Sequence, residues 1–254
     1  MKIVACVKIV PDEEWIQVLP SRELAMDNTP WKISQYDLNA LEAGKKLAAE
    51  TAGTMTALSV GCKAALEPTK IRKDVLSRGA DDLAVVMDDS RDYGDSLQTA
   101  KALASALKEM GVAQLVLCGT GSSDLYAQEV GIQVGALLDW PSVNNVTNIT
   151  VKGDVLEVER TLEEGIEILE VALPCVLSVS SEINNPAVPA MRDIMRAGKK
   201  PVNAVAPALD DATASLAMLE QVAPEAAERR QQVVEGDGEE AVDALLAFLK
   251  KEVL

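Results

Sequence analysis

The sequence predicts an α/β fold: a doubly wound, mostly parallel sheet with appended antiparallel strands and a C-terminal arm. Three observations carry this. Short β-rich runs alternate with helical patterns through the first 140 residues, the signature of βαβ crossovers and of a sheet covered on both faces. After Pro141 the strand-like runs are separated only by turns. Past Ala204 a polar, Ala- and Glu-rich stretch with little periodicity leads to one apolar-striped helix.

Residues 2–10 (KIVACVKIV) read as one buried strand ended by Pro11-Asp12. A helix follows from about Ser34 to Ala49, with Ser34 as N-cap and Asp37 in the first turn, where the helix dipole favours a carboxylate. MTALSVG at 55–61 is the next strand, 68–77 a helix opened by Pro68, and 83–87 (LAVVM) a further strand. Asp95 to Met110 is the clearest helix: Leu97, Ala100, Ala104 and Leu107 share a face, Asp95 and Gln98 suit a capping box, and Gly111 supplies the stop. QLVLCG at 114–119 is a strand and Ser123 to Leu137 a helix. Lys152-Gly153-Asp154 marks a hairpin turn between Ile149/Val151 and Val155/Val158, and Ile166, Ile168 and Val171 extend the β character. The last helix starts near Glu239, with Val242, Leu245, Leu246 and Leu249 in one stripe. Residues 1–205 are thus expected as the α/β domain and 206–254 as an arm and helix that need a surface to lie on.

Composition removes whole classes of chemistry. The 254 residues contain no histidine, which excludes Ser-His-Asp and Cys-His catalysis and argues against the usual zinc and non-haem iron sites. Aromatics are 3%, too few for a single-strand stacking platform, and the formal charge of −16 repels nucleic acid and anionic lipid. Cys6, Cys62, Cys118 and Cys175 form no CxxC pair, and three of them lie in apolar runs, which points to a reduced, cytoplasmic compartment. The N-terminal apolar run is broken by Lys8 and then Asp12, Glu13 and Glu14, so it does not read as a signal peptide, and no stretch is long enough to span a membrane.

The segment Gly119-Thr120-Gly121-Ser122-Ser123-Asp124, at a strand–helix joint, is the most informative. Small residues let backbone approach a phosphate, and first-turn N–H groups with two serine hydroxyls suit an anion. Ligands of open parallel sheets bind beyond the carboxyl ends of the strands, where this turn, Ser34 to Asp37 and Val60-Gly61 all fall. Taken alone, a GTG turn is also what a purely structural joint looks like. Asp124 stands where a dinucleotide fingerprint needs its third glycine, and no Gly-Lys-Ser/Thr follows for a Walker loop. Asp88, Asp89, Asp92 and Asp95 lack EF-hand spacing and read as a solvated acidic loop. Glu159-Arg160 and Glu163-Glu164 read as surface ion pairs, and Arg72 and Lys73 as a solvated face. Arg192, Arg196, Lys199 and Lys200 form a basic cluster in an acidic chain, with Met191 and Met195 at the helical spacing of a core face or an adaptable interface.

Taken in order, KIVACVKIVPDE, KISQYDLNALEAG, RKDVLSRGADDL, GTGSSDLYAQEVG with LLDWP, and VERTLEEGIEILEVALPCVLSV resemble the β subunit of electron-transfer flavoprotein, nearest the branch associated with the Fix system and anaerobic carnitine metabolism. The resemblance implies an adenine-nucleotide-binding α/β fold and a heterodimer with a larger α subunit that carries most of an FAD. It also implies AMP, or a second FAD, in the chain's own pocket. Electrons would pass between acyl-CoA-type dehydrogenases and a quinone or other acceptor oxidoreductase. By segment, the pocket would fall on Cys6, on Ser34, Gln35, Tyr36 and Asp37, on Val60, and on Gly119, Thr120, Gly121, Ser122, Ser123, Asp124, Gln128 and Val130. Tyr36 would border the flavin, and Met191 with Arg192 and Arg196 would dock the dehydrogenase. The usual Asn-Pro is Ser34-Gln35 here, the family glutamine falls on Gln128 or Glu129, and methionine replaces an anchoring leucine. These departures leave AMP and a second FAD both open. A chain that moves electrons through bound flavin needs no histidine, metal or nucleophile of its own. The competing reading is a stand-alone adenine-nucleotide-binding sensor or stress-type module; an ATP-using enzyme suffers from the missing phosphate-lysine motif.

Overall fold

The computed structural model describes residues 1–91, 93–111, 113–208, 216, 218–225 and 233–252. Asp92 of the acidic loop, and 209–215, 217 and 226–232 of the expected arm, lie outside the described residues. Contacts divide the chain into two units, Met1–Gln17 with Ala25–Glu220 and Val18–Leu24 with Gln221–Leu254.

In the first unit β1 (Lys2–Cys6) runs up the middle of the sheet. The apolar run does not continue as one strand to residue 10. The chain leaves the sheet at Lys8 and re-forms as β2 (Ile9–Pro11), followed by a 3-10 turn at Glu13–Trp15. Short strands β3 (Gln17–Val18) and β4 (Leu24–Ala25) form a two-stranded ribbon, and β5 (Trp31–Ile33) pairs antiparallel with β2. Helix α1 (Gln35–Glu50) leads to β6 (Thr54–Gly61), then to α2 (Lys63–Leu66), which the sequence reading lacks, and α3 (Thr69–Ser77). Arg72 is drawn in by α2, donating from Nε to the Leu66 carbonyl at 2.7 Å. Strand β7 (Asp82–Met87), α4 (Ser96–Met110), β8 (Leu115–Gly119) and α5 (Val130–Leu138) complete the alternating half.

The antiparallel half is β9 (Ser142–Lys152), β10 (Val155–Leu162) and β11 (Gly165–Ala172), with Gly153 at φ +65° turning the first hairpin. Across the second hairpin Arg160 of β10 reaches Glu167 at 2.8 Å, so its ion pair is with β11 rather than with the adjacent Glu159. Strand β12 (Cys175–Val179) returns to the parallel set, α6 (Met191–Ala197) follows, and β13 (Val202–Ala204) ends the sheet. Among the described residues nine strands form one sheet in the order β11-β10-β9-β12-β8-β1-β6-β7-β13. The pairs from β9 through to β13 are parallel, and β10 is antiparallel to both its neighbours.

Period-two alternation splits the core. Ile3 and Ala5 of β1 pack with Leu41 and Leu47 of α1 and Val75 of α3. Val4 and Cys6 face the other way, against Ala100, Leu103 and Leu107 of α4 and Val134 of α5. Burial on both faces is why these strands read as unbroken apolar runs. Helix α4 starts as its sequence demands: Asp95 accepts from the N–H groups of Leu97 at 2.9 Å and Gln98 at 3.3 Å, and Gly111 stops it at φ +64°.

The second unit, where described, holds a Glu23–Val222 bridge, an Arg22–Glu225 ion pair at 3.5 Å and helix α7 (Glu239–Glu252). On α7, Glu239 and Glu240 open the first turn and Lys250 and Lys251 the last, matching the helix dipole. Its Val242, Leu245, Leu246 and Leu249 are exposed.

The central strands set the stability of the first unit. Leu117 on β8 is fully buried, so Leu117→Ala is expected to cost about 3 kcal/mol, read as a lowered midpoint at unchanged slope in urea denaturation.

Candidate functional site

From β1 the chain moves outward to β6 and β7, then returns to β8 on the other side of β1. The β1–β8 boundary is therefore the topological switch point, where open parallel sheets hold their ligands. Its geometry rests on Asp37, in the first turn of α1. One carboxylate oxygen accepts the Lys8 N–H at 2.7 Å, just past the end of β1, and the other accepts the Gly119 N–H at 3.0 Å, at the end of β8. Burial pushes the Asp37 pKa up to about 7, against the pull of those two amides and the nearby Lys8 charge. The same grip on Lys8 explains why residues 2–10 break into two strands.

Gly119 is required by this approach: a Cβ there would lie 2.7 Å from both Asp37 Oδ1 and Tyr36 Cβ. At Gly121 a Cβ would lie 2.5 Å from the Tyr126 ring, so a side chain there would displace that ring from where it packs. The Tyr126 and Tyr36 rings pack with centroids 5.1 Å apart. Thr120 donates from Oγ1 to Asn145 Oδ1 at 2.9 Å, which fixes the bend to β9.

The bend does not pass directly into a helix, as a helix from Ser123 would require. Tyr126 (φ +49°) and Gln128 (φ +60°) hold left-handed conformations, and α5 begins only at Val130. Ser34 is the N-cap residue of α1, as expected, but its side chain makes no capping bond: its hydroxyl accepts the Ser123 N–H at 3.2 Å instead. Glu129 stands before α5, accepting from Ser96 Oγ at 2.6 Å and Gln133 Nε2 at 3.2 Å. The residues therefore put a carboxylate where the sequence reading put first-turn N–H groups.

The resulting cleft spans about 710 Å³, open solvent at its mouth included. Of the residues singled out from sequence, Cys6, Asp37, Val60, Gly119, Thr120, Gly121, Ser122, Gln128 and Val130 line it. Ser34, Gln35, Tyr36 and Ser123 lie outside that wall, and Asp124 lines a second cleft beside it, with Lys8, Trp31, Met26 and Tyr93. Met191, Arg192 and Arg196 belong to neither; they are exposed on α6, and so is Met195, so the methionine pair is no core face.

Glu129, the alternative position for the family glutamine, lines the wall together with Gln128, whereas Lys8, Tyr93 and Ser96 are wall residues that sequence reasoning missed. Lys8 was signalled by a charge interrupting an apolar run; Tyr93 and Ser96, joined to the cleft only by tertiary packing, had no such signal. The Lys8 ammonium lies 2.7 Å from Asp124 Oδ2 and 3.4 Å from Ser122 Oγ. Burial alone would raise the Asp124 pKa, but hydrogen bonds from Lys8 and Ser122 and the Lys8 charge hold it below the usual carboxylate range. On the floor, the Cys6 thiol is pushed well up, first by its hydrogen bond with Cys118 and then by burial. Burial likewise pushes the Tyr93 phenol up to about 12. The Tyr93 hydroxyl in this wall is buried with no hydrogen-bond partner, a cost that a ligand's polar group would offset.

Glycines, hydroxyls and a lysine at the switch point of an open sheet, with Asp37 and Glu129 beside them, make a small-ligand binding site. The model of the electron transfer flavoprotein domain matches residues 23–210, and the chain belongs to that family. Its members are flavin-associated electron carriers. Among the described residues no helix is long and apolar enough to cross a membrane.

The clamp yields a pH test. Because the folded-state pKa of Asp37, about 7, exceeds the unfolded value near ~3.9, its contribution is fully present below ~3.9 and is lost as pH rises through the folded pKa. Wild-type protein is therefore expected to lose stability relative to Asp37→Asn between about pH 4 and 7.5, by on the order of a few kcal/mol, measured by denaturation at both pH values. A pH-independent difference would show that Asp37 does not titrate in that window.

Proposed function

We propose that the chain is the β subunit of an electron-transfer flavoprotein. With a larger α subunit it carries electrons through a shared FAD between acyl-CoA-type dehydrogenases and a quinone or other acceptor oxidoreductase in the cytoplasm, in fatty-acid or carnitine metabolism. Its own cleft binds AMP or a second FAD. The observation that carries this reading is the β1–β8 cleft, with Gly119 too close to Asp37 and Tyr36 to admit a Cβ and the buried, unpartnered Tyr93 hydroxyl in its wall.

The residues present fit an adenine nucleotide. Gly119 to Ser122 present small side chains and backbone to a phosphate, and Val60, Leu103, Val130 and the Cys6–Cys118 floor offer apolar surface to a purine. The adjoining cleft shares Lys8, Val60, Tyr93, Gly94 and Asp124 with the first and adds Trp31, Ile9 and Leu66. It supports the larger second FAD as an alternative to AMP. FAD, when bound, supplies reversible one- and two-electron chemistry; the chain's part is to bind it, orient it, exclude water and dock partners. In this reading Tyr36, held against Tyr126, borders the shared flavin from the β side. Residues 1–205 form the nucleotide-binding domain, and 206–254, with the exposed stripe of α7, embrace the α subunit. Exposed Val188, Met191 and Met195, beside Arg192 and Arg196, make an apolar anchor ringed by cations. That surface suits the acidic surface of a dehydrogenase.

Nucleotide released by denaturing the purified complex is expected to contain one FAD plus either one AMP or a second FAD per heterodimer, counted by chromatography. A stable, flavin-free homodimer that hydrolyses ATP would instead favour the stand-alone module. Deleting residues 206–254 is expected to weaken assembly with the α subunit by at least roughly a hundredfold, the scale of a lost interface anchor cluster. Assembly at wild-type affinity would show that the arm packs on its own subunit.

A further inference from the structure

We infer that Lys8 recognises the phosphate of the bound nucleotide and that Asp124 competes with that phosphate for the ammonium, so that the Lys8–Asp124 pair sets the affinity of the cleft; this rests on the nucleotide reading above.

Four observations lead there. Lys8 is the one lysine or arginine among the described residues of the first cleft's wall, and it lines the second cleft as well. Its root is fixed, because its backbone N–H is held by the buried Asp37 carboxylate at 2.7 Å. Its Nζ meets both oxygens of Asp124, at 2.9 and 2.7 Å, and lies 3.4 Å from the hydroxyl of Ser122 in the glycine-serine bend. At the opposite end of the bend, Glu129 places a carboxylate before α5, which repels a phosphate from that helix terminus and favours the Lys8 end.

The pair is strong enough to organise the bend and weak enough to exchange. Both side chains are 28% exposed, and such pairs contribute ~0–1 kcal/mol. A phosphate monoester brings nearly two negative charges against one on Asp124. Asp124 has somewhere to go, since its Oδ1 already accepts the N–H of Leu125 at 2.8 Å within its own loop. Asp124 thus lowers the affinity for phosphate, and Lys8 supplies it.

The test is calorimetric titration of the full-length chain with AMP, FAD, adenosine and inorganic phosphate. Lys8→Gln is expected to weaken AMP and FAD about tenfold, as one charged hydrogen bond requires, to change adenosine by about twofold at most, and to weaken inorganic phosphate as it does AMP. Lys8→Arg should keep most of the affinity. Asp124→Asn, which retains the acceptor for Leu125, should tighten AMP about fivefold and leave adenosine unchanged. Asp124→Asn at or below wild-type affinity, or equal losses of AMP and adenosine in Lys8→Gln, would overturn the inference while leaving the nucleotide reading standing. A wild-type chain that takes up neither AMP nor FAD would remove that reading itself.

Discussion

A single carboxylate holds the candidate site together. Asp37 accepts one backbone N–H from each of two neighbouring parallel strands at the point where the sheet changes winding direction. Beyond this point β1 and β8 no longer pair, and their terminal amides would otherwise be left without acceptors, a cost of ~1–3 kcal/mol each if buried. An aspartate from the first turn of α1 satisfies both and ties helix to sheet. The close approach then dictates Gly119, and the grip on Lys8 turns the chain out of the sheet.

The clamp has an electrostatic cost. Asp37 is desolvated by the elements it joins, and its two amide donors do not fully offset that, so its pKa rises towards neutrality. Strain is stored beside it as well. Tyr126 and Gln128 hold left-handed backbone without being glycine. Tyr126 is kept there by packing over Gly121 and against Tyr36. A bend of this kind is positioned by its neighbours rather than by its own propensities.

That distinction decides what the sequence could reveal. The alternating half of the fold was legible because strands buried on both faces read as apolar runs, and α4 because Asp95 and Gly111 mark its ends locally. The glycine-serine bend was legible as a turn, since glycines after an apolar run mark the end of a strand. The events within it were not. The helix start at Ser123 failed because Asp124 turns to Lys8, more than a hundred residues earlier in the chain. Ser34 was legible as an N-cap but serves a loop from across the sheet. The methionines of α6 carry core spacing, yet they are exposed, because spacing specifies a face and not what covers it.

Protonation explains how a chain of formal charge −16 can hold an anionic ligand. Over the floor and sides of the cleft, burial keeps protons on: Cys6 and Tyr93 stay neutral, and Asp37 is partly protonated near pH 7. Lys8 and Asp124 cancel each other. The distant surface acids are screened over about a Debye length, ~8–10 Å, so the local field is set by the ion pair, the Glu129 carboxylate and the backbone dipoles. Of Cys6, Tyr93 and Asp37, only Asp37 titrates near neutral pH, and both of its oxygens are engaged by the backbone amides of Lys8 and Gly119. In this cleft the burial that moves Asp37 towards neutrality leaves the Lys8–Asp124 ion pair at the mouth to discriminate for charge.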